Sequence, residues 1–537
     1  MHADGGGAAE GQAEGRRVAL VHYVLLVAVF AIGLWWRLHL LGEDLFADEL
    51  ATWWDVTTPK SVADVVRLVS SDAEITPPLY FVLARVATWF GRTEEMLRLP
   101  SLLAGLALIP VVYAWGRFVA ARWVGLTAAT ITAFAPFQLY YSAEARAYAV
   151  MMLLVAVSTL SLLAALRQRK RHSWVFYVLA SAGAMYTHYT ALFVLAVQLM
   201  WAFVVFPGLR RSLVAANVFA ALLFAPWIPS FVADRDSWTT QVLSGLTPLD
   251  LEWLGRYWMH WSFGYPYAEN GVAVIPGWPA VAALVLGLAA GAWGAFRRLR
   301  RRVDLRSCVA LTVMLAFANP VLALAMSLVS SNVYGPRNLA ASWPALAVTL
   351  ALVAWSALPR WRALSVGGVV GCFAIGGAIT ALGDHGRPQV STLLALVDQK
   401  AKPQDVLVDG TARLSPGPAS TVDTIPHAPL FTVRVGAPAV RNRPFQIGDV
   451  RITASEVSAR LARDLPRGSR VFWLSLVFQV DPPWLRHAGD VSRPERLIRI
   501  WRRAGFRIVE RHASAAGFLP VRLWVLERRG TSPVARN

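Results

Sequence analysis

Cysteine and lysine are both scarce in this chain. Only Cys308 and Cys372 occur among 537 residues, and both lie inside apolar runs, so a disulfide framework and a cysteine metal site have little to form from. Lysine is confined to Lys60, Lys170, Lys400 and Lys402, which leaves arginine to carry nearly all the positive charge. Charge itself is thin: 16% of residues are charged and 56% hydrophobic, at a mean hydropathy of +0.46. That balance argues against a soluble multidomain protein and implies a polytopic membrane protein. The net charge of +19 does not point to nucleic acid, because the basic residues fall in short clusters between apolar runs. Such clustering is the positive-inside pattern of membrane proteins. No internal repeat or heptad is visible.

Apolar runs that can span a bilayer occur at about 18–41, 99–118, 123–141, 148–166, 174–188, 190–206, 213–231, 273–296, 307–329, 339–357 and 363–382, eleven in all. Residues 1–17, rich in Gly, Ala and Glu and ending in Arg16-Arg17, read as a disordered cytoplasmic tail. A cleaved signal peptide is the alternative, but the following run is longer than a usual signal core and no small-x-small site follows it. The basic clusters Arg16-Arg17, Arg117 with Arg122, Arg167 to Arg171, Arg210-Arg211, Arg297 to Arg302 and Arg360 with Arg362 follow the runs in alternation. All six then share one side, which the positive-inside rule makes the cytoplasm. Residues 77–90 are apolar but short, open with Pro77-Pro78 and carry Arg85, so they suit an interfacial or re-entrant helix. Residues 42–98 become one long outer loop along the membrane surface.

This parity places Asp48 and Glu49 in the first outer loop, Glu144 in the second, His188 in the third, residues 232–272 in the fourth and Arg337 in the fifth. The fourth loop is dense in rings, among them Trp238, Trp253, Tyr257, Trp258, Trp261, Phe263, Tyr265 and Tyr267, which suit an interfacial belt or stacking on a sugar. Beyond residue 383 the apolar runs shorten. Val406 to Val408, Val471 to Val480 and Val521 to Leu526 read as strands, and 455–464 and 494–505 as helices. The expected architecture is an α-helical polytopic membrane domain at 18–382, with about eleven spans and outer-loop juxtamembrane helices. A soluble α/β extracytoplasmic domain follows at 383–537.

The candidate chemistry lies in the outer loops. Asp48-Glu49 could be a solvated loop pair, but Trp35-Trp36 and Trp53-Trp54 bracket it at headgroup depth, where acids are costly without a task or a partner. Of two neighbouring carboxylates, one can act as a general base while the other binds a hydroxyl or shares a cation. Glu144, in SAEARAY, is flanked by Arg146 and Tyr148; residues two apart do not face each other on a helix, which weakens a simple Glu144–Arg146 pair. His188 is either an interfacial histidine or a site residue. Arg337 can cap the next helix or contact an anion such as a phosphate; Arg85 and Arg98 are further candidates for that contact. Asp48 and Glu144 also offer hard oxygens suited to Mg²⁺, Mn²⁺ or Ca²⁺.

The set LFADELATWW at 45–54, TPPLYF at 76–81, RLPS at 98–101, YYSAEARAY at 140–148, THY at 187–189 and YGPRNLAASWPAL at 334–346 resembles the GT-C superfamily of integral membrane glycosyltransferases. The similarity is to the branch of protein O-mannosyltransferases and the lipid A aminoarabinose transferase, and it spans residues 30–360. The resemblance implies an inverting transfer of a sugar, mannose or arabinofuranose-like, from a polyprenyl-phosphate carrier on the outer face of the plasma membrane. Asp48 would be the counterpart of the base, Glu49 and Glu144 its partners in positioning acceptor, base or a divalent ion, and Arg337 the lipid-phosphate contact. The acceptor would be a glycan, a lipoglycan or a protein, and the surrounding partners membrane lipids. Two other readings are a transporter or flippase of lipid-linked glycans and a membrane scaffold for a cell-wall partner. Midplane charges on broken helices and repeated halves, the usual marks of a transporter, are not visible.

Overall fold

The computed structural model describes residues 5–45, 48–70, 74–235, 249, 251–266, 271–299, 307–330, 332–383, 390–402, 405–409, 461–463, 465–476, 494–513 and 521–528. Eight helical stretches among them are long and apolar enough to cross a membrane: Leu20–Leu41, Glu94–Val119, Tyr148–Gln168, Pro207–Arg235, Trp278–Arg297, Cys308–Val329, Pro336–Trp355 and Pro359–Leu382. The protein is an integral, multi-pass membrane protein. The other three apolar runs are also helical, but shorter or broken. Arg171–Met185 and Ala191–Val205 have 15 residues each, and the run at 123–141 divides into Arg122–Phe134 and Pro136–Ser142. The first helix, α1 (Gly5–Leu41), begins upstream of its apolar run. That helix takes in residues 5–17 of the segment expected to be a tail.

Three short outer elements follow α1: α2 (Asp48–Thr57), α3 (Val62–Val69) and α4 (Leu79–Ala87). Ser61 and Asp64 form a reciprocal capping box that starts α3. At nine residues α4 cannot span. It lies on α5 (Glu94–Val119), with Tyr80 and Phe81 fully buried and the Tyr80 hydroxyl donating to the Leu97 carbonyl at 2.9 Å.

The broken run explains a buried charge. Between α6 (Arg122–Phe134) and α7 (Pro136–Ser142) the chain breaks because Pro136 has no N–H to return to the Thr132 carbonyl. Arg37, fully buried on α1, donates to the carbonyls of Thr132 and Ala133 at 3.2 and 2.9 Å. A guanidinium inside the apolar bundle thus stands in for the missing helical donors. At the crossing of α5 and α7, a Cβ on Gly105 would overlap the Ser142 hydroxyl, so close approach there requires glycine.

The remaining helices of this region are α8 (Tyr148–Gln168), α9 (Arg171–Met185), α10 (Ala191–Val205), α11 (Arg210–Phe224) with α12 (Ile228–Arg235), α14 (Trp278–Leu299), α15 (Cys308–Val329), α16 (Trp343–Trp355) and α17 (Pro359–Leu382). Between α12 and α14, α13 (Leu251–Ser262) carries part of the aromatic loop. Trp261 is fully buried and its carbonyl accepts from Trp343 Nε1 at 2.9 Å, while Trp258 stacks on Phe317. Trp261 is thus core and Trp258 packs partly buried against it; Trp238 and Tyr267 lie outside the described residues. Cys308 and Cys372 are both unbridged.

After α17 comes a small α/β domain. Its sheet has the order β1-β2-β4-β3 from β1 (Val406–Asp409), β2 (Arg470–Leu476), β3 (Phe506–Ala513) and β4 (Val521–Arg528). β1 and β2 are parallel, and the other pairings antiparallel. α18 (Val390–Lys400) packs Leu393, Leu394 and Val397 on one face, and α19 (Pro494–Arg503) packs Ile498 and Trp501 on the other. Most of the helix expected at 455–464, and residues 477–480 of the strand expected to run from Val471 to Val480, lie outside the described residues.

Candidate active site

The loops that parity placed on one side meet in space. Arg337 Nη1 donates to Asp48 Oδ2 at 2.8 Å, joining groups 289 positions apart. Asp48 opens α2, and Arg337 lies in the short 3-10 segment Pro336–Ser342 that leads into α16. That segment is held from behind: Asn319 Nδ2 donates to the carbonyls of Asn338 and Thr190 at 2.8 and 3.2 Å, and the Asn319 amide donates to Ser342 Oγ at 2.9 Å. One buried amide side chain therefore ties the fifth outer loop to the loop containing His188.

Glu49 is fully buried, and both its oxygens are engaged. Arg98 donates from Nε to Oε1 and from Nη2 to Oε2, each at 2.8 Å, and the Ala145 amide donates to Oε1 at 2.7 Å. Arg98 also donates to the carbonyls of Leu41, Glu43 and Asp44 at 2.6, 2.6 and 3.1 Å. With five bonds the guanidinium is saturated. Glu49, expected as a partner in positioning acceptor, base or a divalent ion, forms with Arg98 a clasp joining the end of α1, the start of α2, α5 and the second outer loop. Arg98, weighed from the sequence as an anion contact, is committed to that clasp.

Arg146 is equally committed. It donates to Glu74 Oε2 at 2.8 Å and Oε1 at 3.3 Å, to Thr76 Oγ1 at 3.0 Å and to Thr52 Oγ1 at 3.2 Å. Glu74 accepts in addition from the amides of Ile75 and Thr76, at 3.0 and 2.9 Å. Arg146 is thus a buried strut rather than a free substrate contact. Arg85 donates to the carbonyls of Val56 and Lys60 at 3.1 and 3.2 Å, tying α4 to the end of α2. Glu74, Asp55 and Asn319 escaped the sequence reading. The one signal for Glu74 was an acid two residues before the TPPLYF stretch.

Glu144 is 5% exposed and accepts from the Tyr140 hydroxyl at 3.2 Å; Tyr140 in turn meets Tyr265 edge-on, which brings the fourth loop to the site. Tyr148 is buried at the start of α8, its ring 5.4 Å from that of His188, and lies within the fields of Arg337, Arg146, Asp48 and Glu144. His188 Nδ1 accepts from the Thr190 amide at 3.3 Å, so the neutral ring carries its proton on Nε2. Burial, with Arg337 and Arg146 adding to it, depresses the His188 pKa to about 3, and the ring is neutral at physiological pH.

The carboxylates differ sharply in access. Glu49, Glu144, Glu74 and Asp55 are at most 7% exposed, whereas the Asp48 side chain is 44% exposed. Burial pushes the Asp48 carboxyl upward, yet Arg337 and then Arg146 outweigh that push and the repulsion from Glu49, so its pKa lies below the ordinary value. Solvent at its open side screens part of each effect. Asp48 is therefore an ionised, reachable carboxylate. Asp55, deeper on α2, is raised to about 8 by burial and by Glu74, against the pull of Arg146.

Among the described residues no group of three or more His, Cys, Asp or Glu side chains is placed to hold a divalent cation. Asp48 and Glu49 already face guanidinium groups, which supply the positive charge a metal would bring.

A protein-family profile described as dolichyl-phosphate-mannose-protein mannosyltransferase matches residues 75–230, the part of the chain carrying Glu74's neighbours, Arg98, Glu144 and His188. The apo crystal structure of ArnT from Cupriavidus metallidurans superposes with a TM-score of 0.53 at 14% identity, covering 94% of this chain and 98% of that one. The same protein bound to undecaprenyl phosphate gives 0.49 at 15% identity over 95% and 98% of the two chains. An oligosaccharyltransferase from Archaeoglobus fulgidus gives 0.46 at 13% identity over 79% of this chain and 60% of its own. No curated protein matches the chain.

Proposed function

We propose that this chain, by fold a member of the GT-C superfamily of membrane glycosyltransferases, is an inverting glycosyltransferase that takes its sugar from a polyprenyl-phosphate carrier at the outer face of the membrane. The observation that carries the reading is the accessible Asp48–Arg337 pair, built from the first and fifth outer loops on a rigid, buried frame. An acceptor hydroxyl attacks the anomeric carbon as its proton passes to an Asp48 carboxylate oxygen. The bond from that carbon to the phosphate oxygen breaks, and the polyprenyl phosphate leaves with the electron pair. Arg337 is the group placed to stabilise the charge that accumulates on it.

The lipid-linked donor accounts for the membrane setting, since a sugar attached to a polyprenyl tail reaches the site from the bilayer. The family description names a dolichyl-phosphate-linked mannose and a protein acceptor. For this chain the sugar class remains mannose or an arabinofuranose-like pentose, and the acceptor a cell-envelope glycan, lipoglycan or protein. The basic clusters at the other ends of the helices support a cytoplasmic amino terminus and an extracytoplasmic α/β domain.

The test is transfer by the purified full-length protein from radiolabelled polyprenyl-phosphate sugars to envelope fractions. Label should move with wild type and stay on the lipid with Asp48→Asn. Undiminished transfer by Asp48→Asn would remove Asp48 as the base. Absence of transfer from every polyprenyl-linked sugar, with movement of intact lipid-linked glycan across vesicles instead, would favour a flippase.

A further inference from the structure

The two groups that the proposed reaction uses separately are bonded to each other at rest. Arg337 is assigned to the phosphate and Asp48 to the acceptor hydroxyl, yet Arg337 Nη1 lies 2.8 Å from Asp48 Oδ2. The backbone behind each is fixed. Asn319 pins the segment carrying Arg337, and the Glu49–Arg98 clasp pins the first turn of α2. Access separates this pair from the other two in the site. Arg98 and Glu49 are at most 1% exposed and Arg146 and Glu74 at most 9%, whereas Arg337 and Asp48 are 28% and 44% exposed. Of the three, only this pair can be reached and exchanged by an incoming anion without dismantling the frame.

We propose that the pair is a resting lock: Asp48 and the phosphate of the lipid-linked donor compete for Arg337, so that donor binding releases Asp48 and the donor precedes the acceptor. This rests on the function proposed above and adds an order of binding to it. A carboxylate relieved of its guanidinium partner is the better proton acceptor, so the base reaches full strength only when a sugar is in place to be attacked. Until then a hydroxyl arriving at Asp48 meets a neutralised pair. Exchange of one anion for another on the same guanidinium conserves most of the charge interaction, which keeps the lock openable. Arg146 remains within range to hold Asp48 ionised once Arg337 has turned away.

The lock predicts a gain of affinity from removing the base. Binding of undecaprenyl phosphate to the purified full-length protein, followed by intrinsic tryptophan fluorescence, is compared among wild type, Asp48→Asn, Asp48→Ala, Arg337→Met and the double variant Asp48→Asn/Arg337→Met. Both Asp48 variants should bind about fivefold tighter than wild type, the upper range for a partly exposed ion pair. Arg337→Met should bind more weakly, and adding Asp48→Asn to it should bring no gain. Wild type that binds while both Asp48 variants bind equally or less well would overturn the lock and leave the proposed transfer standing. Wild type that fails to bind undecaprenyl phosphate would overturn the donor class and the lock together.

Discussion

Replacing Glu49 by Gln asks whether that acid reacts or only holds the site in shape. The substitution keeps the volume but removes the negative charge from a pair at most 1% exposed. Arg98 would retain the carbonyls of Leu41, Glu43 and Asp44, but one carboxylate oxygen becomes an NH₂ facing a guanidinium N–H. Removing one partner of a buried pair costs about 3 to 5 kcal/mol, and the three surviving carbonyl bonds put this case near the lower end, about 3 kcal/mol. The loss should be shared by Arg98→Met. The double variant Glu49→Leu/Arg98→Met leaves no buried charge alone but strips the carbonyls of Leu41, Glu43 and Asp44 and the Ala145 amide of their partners, so it should recover only part of the loss. Thermal unfolding in nanodiscs reads the stability, and transfer at permissive temperature reads the activity. A role confined to positioning predicts reduced stability together with residual transfer whose pH profile keeps the wild-type shape. Glu49→Gln with wild-type melting and no transfer would refute this, and would return Glu49 to the reacting groups.

Four further outcomes follow from the geometry. Asp48→Asn should lower turnover by about 10² to 10⁴, the usual worth of a general base, with melting unchanged in nanodiscs. Asp55, whose folded pKa of about 8 exceeds the ordinary aspartate value of 3.8, binds a proton in the folded state that the unfolded chain has released; stability therefore falls as pH rises from about 4 to about 8. Asp55→Asn should remove that slope and raise the melting temperature more at pH 8 than at pH 5, and equal shifts at both would contradict it. Arg37→Met leaves the carbonyls of Thr132 and Ala133 without their donors and should destabilise the protein by about 2 kcal/mol or more, measurable as lowered melting in detergent. Extended dialysis against EDTA should leave transfer unchanged, since guanidinium groups already face Asp48 and Glu49; loss restored by Mg²⁺, Mn²⁺ or Ca²⁺ would show a metal in the reaction.

Much of this protein was legible in the chain because membrane burial writes itself in runs. A stretch such as 308–329 must be predominantly apolar to lie in lipid, and the alternation of arginine clusters then sorts the loops to one side or the other. That sorting placed Asp48, Glu144, His188 and Arg337 together before any distance was known. The limits were equally physical. The strand at 506–513 was missed because Glu510 and His512 occupy inward positions of its alternation, and sheet pairing with β4 determines it instead.

What the sequence determined by itself is the class of the molecule, the helices and the set of polar groups sharing a face. Which acid can react was decided only by tertiary structure. Asp48 and Glu49 are chemically equivalent neighbours, and adjacent positions on a helix point about 100° apart. One therefore turns inward to Arg98 and the Ala145 amide while the other turns out to Arg337 and solvent. Those partners come from 49, 96 and 289 positions away, distances over which no local pattern carries information.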